Sequence, residues 1–240
     1  MEEVTTASPQ EKSIAPGSVF KDDWRLFQSH APTLAYPRGT ELLQQGAPVR
    51  DVYFIESGFV KSVYLDHSGS EIIVGLCLPG SMVGTASVIV QRPSPVTVAT
   101  VSRCQLCRIT AKEFLRLVKT NPQFAWYLQQ EQSREIYRQV VRNVELGCHS
   151  ARQRLEQLLW EMTSVPAAVK SRHEIKIRLP MKYWEIAELV SVTPEHLSRL
   201  LKQMQQEGLI LRKRDWLTIP DRQRLSSSAG YGYIEQLTKE

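Results

Sequence analysis

Three polar side chains stand close together near the C-terminal end of the chain: Glu195, Ser198 and Arg199. Their spacing of three and four residues places them on one face of a helix. Arg can donate two parallel hydrogen bonds to O6 and N7 of guanine, Glu can accept from N4 of cytosine, and Ser can pair with several base edges. A plain surface ion pair between Glu195 and Arg199 is the alternative. The segment that precedes this helix favours base reading.

That segment predicts a helix-turn-helix. Apolar residues follow helical spacing on both sides of a break at Ser191 and Val192. After the break, Thr193 is a suitable N-cap, Pro194 suits the first helical position, and Glu195 is favourable at the positive helix start. Two short helices joined by a tight turn form the motif that enters the DNA major groove. His196 joins the base-reading candidates, and the phosphate-contact candidates are Thr193, Lys182, Lys202, Arg212, Lys213 and Arg214.

The charge of the chain is concentrated around this motif. The 240 residues contain 30 Lys and Arg against 25 Asp and Glu, a net charge of +5. Residues 148–224 alone contain 14 Lys and Arg against 9 Asp and Glu. The whole excess therefore lies in the C-terminal part, as expected for a nucleic-acid-binding half joined to a neutral half. The predicted partner is double-stranded DNA.

The first half has the pattern of an antiparallel β-roll. Short β-prone runs alternate with Gly and Pro turn signals, which favours a rolled or closed β-domain. The predicted strands are 42–43, 52–55, 59–65, 71–78, 82–83, 96–101 and 105–109. A disordered arm at 1–20 and a short helix at 22–30, through Trp24, Leu26 and Phe27, precede them.

A long helix links the two halves. After a short helix at 111–117, Asn121 and Pro122 open a helix of roughly 25 residues, nearly 40 Å long. Its apolar stripe consists of Phe124, Tyr127, Leu128, Ile136, Val140, Val141 and Val144. A core-facing stripe is the ordinary alternative. The length instead favours a parallel partner helix, hence a homodimer through residues 124–144, whose two-fold symmetry suits a palindromic DNA site.

The predicted fold class is α+β, with an N-terminal antiparallel β-roll, a long dimerisation helix and a C-terminal winged helix-turn-helix. The last part adds a helix at 151–162, a loop at 165–170, a strand at 174–179 and a basic-tipped hairpin, the wing, whose strands are 209–211 and 216–219. The predicted domains are an arm at 1–20, an effector-sensing domain at 21–120, the dimerisation helix at 121–147, the DNA-binding domain at 148–224 and a tail at 225–240.

This order resembles the cyclic-AMP-receptor/fumarate-nitrate-regulator (CRP/FNR) family of bacterial transcription factors. Similar motifs are Val52-Tyr53-Phe54-Ile55 with Gly46 and Gly58, Pro79-Gly80 with Val83-Gly84, Arg154-Leu155 and Glu185-Ile186-Ala187. The Glu195-x-x-Ser198-Arg199 set is similar to the fumarate-nitrate-regulator branch, which implies a TTGA-like half-site. Ser191 stands in the turn where the family often has Gly, a conformation that Ser holds at some cost.

The resemblance also implies an effector pocket at Gly84, Thr85, Ser94 and Tyr127. Cyclic-nucleotide binders of the family follow the equivalent of Gly84 with Glu and supply an Arg about ten residues later. Here those positions hold Thr85 and the Ser94-Pro95 region, and Arg92 precedes two prolines. Because a buried phosphate would lack its charge partner, the sequence argues against cyclic AMP and leaves the effector unknown.

The four cysteines do not predict a metal centre. The oxygen-sensing branch has an N-terminal cysteine cluster, whereas this chain has no cysteine before Cys77. Cys104 and Cys107 are spaced so that a strand would direct them to opposite faces, whereas an iron–sulfur cluster needs convergent thiolates. We therefore expect neither an iron–sulfur cluster nor another metal.

No catalytic constellation stands out, so an enzyme is not expected. The absence of a signal-like or membrane-spanning segment predicts a cytoplasmic protein without a membrane partner. RNA polymerase is a further candidate partner. Three interpretations remain open: an effector-controlled regulator, a constitutive regulator whose β-roll is a scaffold, and a cysteine-based redox or iron–sulfur sensor.

Overall fold

The computed structural model describes residues 31–163, 168–170, 174–179, 181–213, 216–221 and 223–225. The predicted arm at 1–20, the predicted helix at 22–30, the phosphate candidate Arg214 and all but the first residue of the predicted tail lie outside these residues. None of the helices in the described part combines the length and apolar character needed to cross a bilayer.

The N-terminal half is a roll of two four-stranded antiparallel sheets. The strands are β1 (Thr33–Tyr36), β2 (Glu41–Leu43), β3 (Asp51–Ser57), β4 (Val60–Leu65), β5 (Glu71–Cys77), β6 (Met82–Val83), β7 (Thr97–Thr100) and β8 (Cys104–Thr110). One sheet has the order β1-β8-β3-β6 and the other β2-β7-β4-β5. The seven predicted strands are confirmed, with no end shifted by more than two residues, and β1 was not predicted.

The described part of this half also contains the helices α1 (Thr85–Val90), α2 (Ala111–Thr120) and α3 (Pro122–Cys148). The first sheet packs its outer face against α2 and the start of α3, where Phe114 and Phe124 meet edge to face with ring centroids 5.8 Å apart. The sequence predicted α2 and α3 and missed α1. Helix α1 begins after its N-cap Gly84, whose φ of 91° lies in the left-handed region.

The core of the roll lies between its two sheets, where residues of both sheets form one buried cluster that includes Ile55, Val60 and Leu106. Cys104, which belongs to this cluster, and Cys107, which packs on the α2 side of the same strand, are both fully buried. The pair therefore points to opposite faces of β8, as the sequence predicted.

The apolar stripe of α3 divides between two environments. Phe124, Tyr127 and Leu128 are buried within the chain's own core, so the prediction that they belong to a dimer seam is wrong. Ile136, Val140 and Val144 are exposed, at 64%, 56% and 55%. The two environments follow from length, because the first turns of α3 cover the roll and the later turns extend beyond it.

The described residues of the C-terminal half include the helices α4 (Ala151–Thr163), α5 (Tyr183–Leu189) and α6 (Pro194–Gln206) and the strands β9 (Val169–Lys170), β10 (Ile175–Arg178), β11 (Leu211–Lys213) and β12 (Trp216–Ile219). The four strands form one sheet of order β11-β12-β10-β9. Residues 169–170 were predicted as loop but pair with β10. Leu225, assigned by sequence to the tail, is fully buried in this domain's core.

Candidate nucleic-acid interface and effector pocket

The turn between α5 and α6 has the predicted geometry. Ser191 adopts a φ of 54°, so it holds the left-handed conformation usually given to glycine. The backbone N–H of Val192 donates to the carbonyl of Ala187 at 2.9 Å, which closes the turn. Thr193 then caps α6 by accepting a hydrogen bond from the backbone N–H of His196 at 3.3 Å, and Pro194 follows at the first helical position.

Burial divides α6 into a core face and an exposed face. The core face consists of Leu197, Leu200, Leu201 and Met204. Glu195, Ser198, Arg199 and Lys202 are exposed, and His196 is half-buried. The structure thus brings Glu195, Ser198 and Arg199, three of the four predicted base-reading residues, together on one accessible helix face near the helix start.

The electrostatics of this face keep Glu195 ionised. Hydrogen bonds from its own backbone N–H and from the Thr193 hydroxyl lower the pKa of the Glu195 carboxyl, and the charge of Arg199 lowers it further. An ionised carboxylate accepts hydrogen bonds and donates none. Thr193 has a role that the sequence assigned only in part, since its hydroxyl serves both the cap and Glu195.

The predicted phosphate contacts surround this face. Lys182 precedes α5, Lys202 lies on α6, and Arg212 and Lys213 lie on β11 of the wing; all four are exposed. The Arg212 guanidinium lies over the ring of Tyr183, 4.6 Å from its centroid. That stacking orients Arg212 against the first helix of the motif.

Sequence reasoning missed Trp216 on the wing. It pairs directly with Lys213 across β11 and β12, and 41% of it is exposed. A large aromatic beside a basic residue at a hairpin tip was a readable signal, since flat rings often meet nucleic acid.

A cavity of about 620 Å³ lies where the roll, α3 and the C-terminal domain meet. Gly84, Thr85 and Ser94 line it, as predicted. Tyr127 does not: it is buried against Phe124, 6.5 Å between ring centroids, so its assignment to the pocket is wrong. Tyr127 lies one helical turn before Glu131, the first residue of α3 to reach the cavity.

Beside α1, the cavity is lined by three hydroxyls, one acid and one amide, those of Thr85, Ser87, Ser94, Glu131 and Gln132. Gln132 donates from Nε2 to the hydroxyl of Thr85 at 2.9 Å. Burial raises the pKa of the Glu131 carboxyl, and the neighbouring Arg134 offsets part of that rise. Arg92 is exposed on the surface and does not line the cavity.

The other end of the cavity reaches the C-terminal domain, and its residues were missed. Arg138 and Arg142 of α3 and Arg154 and Glu161 of α4 line it. Arg154 donates to the backbone carbonyls of Val190, at 3.0 Å, and His149, at 2.6 Å, which ties α4 to the end of α5. These residues lie up to about 80 positions from Gly84, so no local pattern could group them.

Cys77 lies in the wall of this cavity. Burial raises the pKa of its thiol to about 11, and burial likewise raises the pKa values of Cys104 and Cys107. All three therefore remain protonated near neutral pH, which makes them poor nucleophiles and poor metal ligands.

Comparisons with known proteins agree with this architecture. The family model for the cyclic nucleotide-binding domain matches residues 33–121, and that for the Crp-like helix-turn-helix domain matches residues 153–228. The cAMP-activated global transcriptional regulator CRP of Salmonella typhimurium is 24% identical over 185 residues, covering 77% of this chain and 87% of that protein. The CRP of Haemophilus influenzae is also 24% identical, over 88% of this chain and 91% of that protein.

Solved structures share the fold. FixK2 from Bradyrhizobium japonicum superimposes with a TM-score of 0.70 at 22% identity, over 82% of this chain and 96% of that one. The c-di-GMP responsive regulator CLP from Xanthomonas campestris gives 0.65 at 21% identity, over 82% and 97%. With a cyclic nucleotide-binding domain followed by a Crp-like helix-turn-helix, this chain belongs to the CRP/FNR family of DNA-binding transcription regulators.

Proposed function

We propose that this protein is a homodimeric regulator that reads a palindromic, TTGA-like DNA site and responds to an effector other than a cyclic nucleotide. The observation that carries the proposal is the exposed set of Glu195, Ser198 and Arg199 on a capped helix. The same three residue types at the same spacing are similar to the fumarate-nitrate-regulator branch, which supports the half-site.

On DNA, each of the three side chains contacts the edge of a different base. Arg199 donates two hydrogen bonds to the guanine of the half-site, Glu195 accepts from N4 of the paired cytosine, and Ser198 meets a neighbouring thymine. The lowered pKa of Glu195 supports its part, because N4 of cytosine needs an acceptor. His196, half-buried at the helix start, flanks these contacts.

The basic side chains around the motif contact the backbone. Lys182, Lys202, Arg212, Lys213 and Arg214 bind phosphates and fix the register of α6 in the groove. The Thr193 hydroxyl has one proton to donate, so it reaches a phosphate only when it releases Glu195. The stacking of Arg212 on Tyr183 supports a fixed direction for this guanidinium.

A second copy of the chain completes the reading unit. Val140 and Val144 are more than half exposed although apolar, as is Ile136 one turn earlier. Trp126, 65% exposed, lies two heptads before Val140 and extends the same side of α3. A parallel pairing of two α3 helices would bury this stripe and present two α6 helices to the two halves of a palindrome.

The effector binds in the cavity between the roll, α3 and the C-terminal domain. Beside Gly84 the described lining offers the hydroxyls of Thr85 and Ser94 and the Glu131 carboxylate, which is already ion-paired with Arg134. The arginines of the lining lie two or more helical turns further along α3, at Arg138 and Arg142, or on α4, at Arg154, so a phosphodiester beside Gly84 would meet a paired carboxylate in place of an arginine of the lining. We therefore propose that the effector places a neutral or cationic group beside α1. Separately, RNA polymerase is a candidate partner of the DNA-bound dimer.

Selection from a pool of randomised duplexes at one fixed salt concentration tests the proposal. We expect a two-fold symmetric consensus with TTGA-like halves about one helical turn apart. Enrichment of an unrelated or single half-site would contradict the assignment of the reading face or of the dimer, respectively.

A further inference from the structure

The first helix of the DNA-binding motif is attached to the sensing domain of its own chain. In the sheet β2-β7-β4-β5, strand β5 lies at the edge, and α5 covers it. The backbone N–H of Ile73 points away from β4 and donates to Oε1 of Glu188 on α5 at 2.7 Å. A sheet edge that would otherwise expose an unpaired N–H is thus closed by a side chain of the other domain.

A buried ion pair lies beside this hydrogen bond. Nζ of Lys61 on β4 is 2.8 Å from Oε1 of Glu185 on α5, and Arg38 approaches the other carboxylate oxygen at 3.6 Å. Only 5% of the Glu185 side chain and 15% of the Lys61 side chain is exposed. Lys61 also lies 5.2 Å from the ring centroid of Trp184, so one lysine holds two successive residues of α5.

Apolar contacts join the same two surfaces. Phe59, Val63 and Ile73 of the roll belong to one buried cluster with the core of the C-terminal domain, which includes Ile186 and Leu189 of α5. A shared core excludes water from the ion pair, and an ion pair shielded from water depends strongly on both partners being present.

The strand in this contact also forms part of the cavity wall. Val74, Gly75, Leu76 and Cys77 follow Ile73 directly and line the cavity. An occupant of the cavity therefore touches β5 directly beside Ile73, the residue whose amide is hydrogen-bonded to Glu188.

We propose that Lys61, Glu185, Glu188 and Ile73 form a latch that fixes the orientation of the DNA-binding domain on the roll, and that cavity occupancy acts on this latch through β5. The inference deepens the proposed function, because the orientation of two α6 helices sets the half-site separation that a dimer accepts. The latch is then the contact through which the sensing domain controls DNA reading.

Hydrogen exchange of the Ile73 amide in the free protein tests the latch directly. Glu188→Ala removes its acceptor, and Lys61→Met removes the charge of the ion pair while keeping the aliphatic stem. We expect both variants to speed exchange at Ile73 by about tenfold or more, because Glu188→Ala leaves the amide without its acceptor and Lys61→Met loosens the attachment of α5, which carries that acceptor.

Lys176→Met is the matched control. Lys176 also forms a 2.8 Å ion pair, with Glu174, but inside the C-terminal domain and on its surface. Exchange at Ile73 should stay within about twofold of the unsubstituted protein in this variant. Unchanged exchange in both latch variants would overturn the proposal, and if Lys61→Met fails to fold, Glu188→Ala decides alone.

A second readout concerns DNA. For each variant, we compare the affinity for the preferred half-site separation with the affinity for an altered separation. This ratio should be about tenfold smaller for Lys61→Met than for Lys176→Met, because a released DNA-binding domain adapts to more separations. Equal discrimination combined with faster Ile73 exchange would overturn the control of DNA reading by the latch. The exchange measurement uses no DNA, so a failure of the proposed TTGA-like site leaves its result standing.

Discussion

At the residue scale, Arg199 and Lys213 carry the same charge but are expected to meet different parts of DNA. Arg199 lies on the exposed face of α6 beside Glu195 and Ser198, whereas Lys213 lies on β11 opposite Trp216. A base contact contributes discrimination between sequences, and a phosphate contact contributes affinity for all of them. Substitution separates the two roles.

Arg199→Ala should flatten the preference at the guanine position of the half-site. Loss of one bidentate base contact costs about 1–3 kcal/mol and relaxes the choice of that base pair. Lys213→Ala should instead weaken binding to all sequences alike and make its salt dependence shallower. Binding selections with both variants at one salt concentration measure this, each variant serving as the other's control. Full discrimination by Arg199→Ala at that base pair would mean that another face of α6 reads the bases.

Gly84 is expected to tolerate no side chain. Its φ of 91° suits glycine, and an added Cβ would lie 2.9 Å from the carbonyl oxygen of Asp51. Gly84→Ala should therefore lower the free energy of unfolding by about 1–3 kcal/mol, seen as an earlier midpoint in urea. Gly75→Ala, on the same cavity wall with nothing within 4 Å of an added Cβ, is the control. Equal midpoints for the two variants would contradict this reading of the turn.

At the element scale, most strands and the caps were predictable from local sequence, whereas β1, α1 and β9 were not. β3 and β4 coincide with apolar runs bounded by Gly, and α6 begins directly after its N-cap Thr193. The segment Thr85–Val90 is rich in β-branched residues, which favour strands, yet it forms a helix after the left-handed turn at Gly84. Tertiary packing therefore determines the helical conformation of this segment, and the strand propensity of its residues gave no indication of a helix.

The exposed stripe of α3 is the element-scale test of assembly. Val140→Asp should place two carboxylates in an apolar seam, at a cost of about 3 kcal/mol or more, and so raise the dimer dissociation constant by about 100-fold. Light scattering over a concentration series measures it, with weaker operator binding as a second sign.

Val90→Asp is the matched control, because Val90 is 61% exposed but lies on α1. It should leave the assembly unchanged. A dimer that survives Val140→Asp unaltered would remove α3 as the seam.

At the scale of the whole molecule, the candidate site divides into a part that the sequence could locate and a part that it could not. The exposed face of α6 is local, so Glu195, Ser198 and Arg199 could be grouped from their spacing and from the capped turn before them. The cavity draws on the roll, α3 and α4 at once, and the parts of its lining that resemble family motifs are Pro79-Gly80, Val83-Gly84 and Arg154, whereas Thr85 departs from the family's pattern. Glu161 of α4 joins Arg138 and Arg142 of α3 only when the two helices meet, which no local periodicity encodes.

That cavity leads to a whole-molecule prediction about ligands. Cyclic AMP or cyclic GMP at millimolar concentration should change operator affinity by less than about twofold, because the α1 end holds Thr85, Ser94 and the buried Glu131 where a phosphate needs a cation. Calorimetric titration and operator binding measure this, with the cAMP-activated CRP of Salmonella typhimurium as the positive control. A saturable micromolar titration would show that a cation from elsewhere in the dimer reaches this end, and the proposed neutral or cationic effector group would then be wrong.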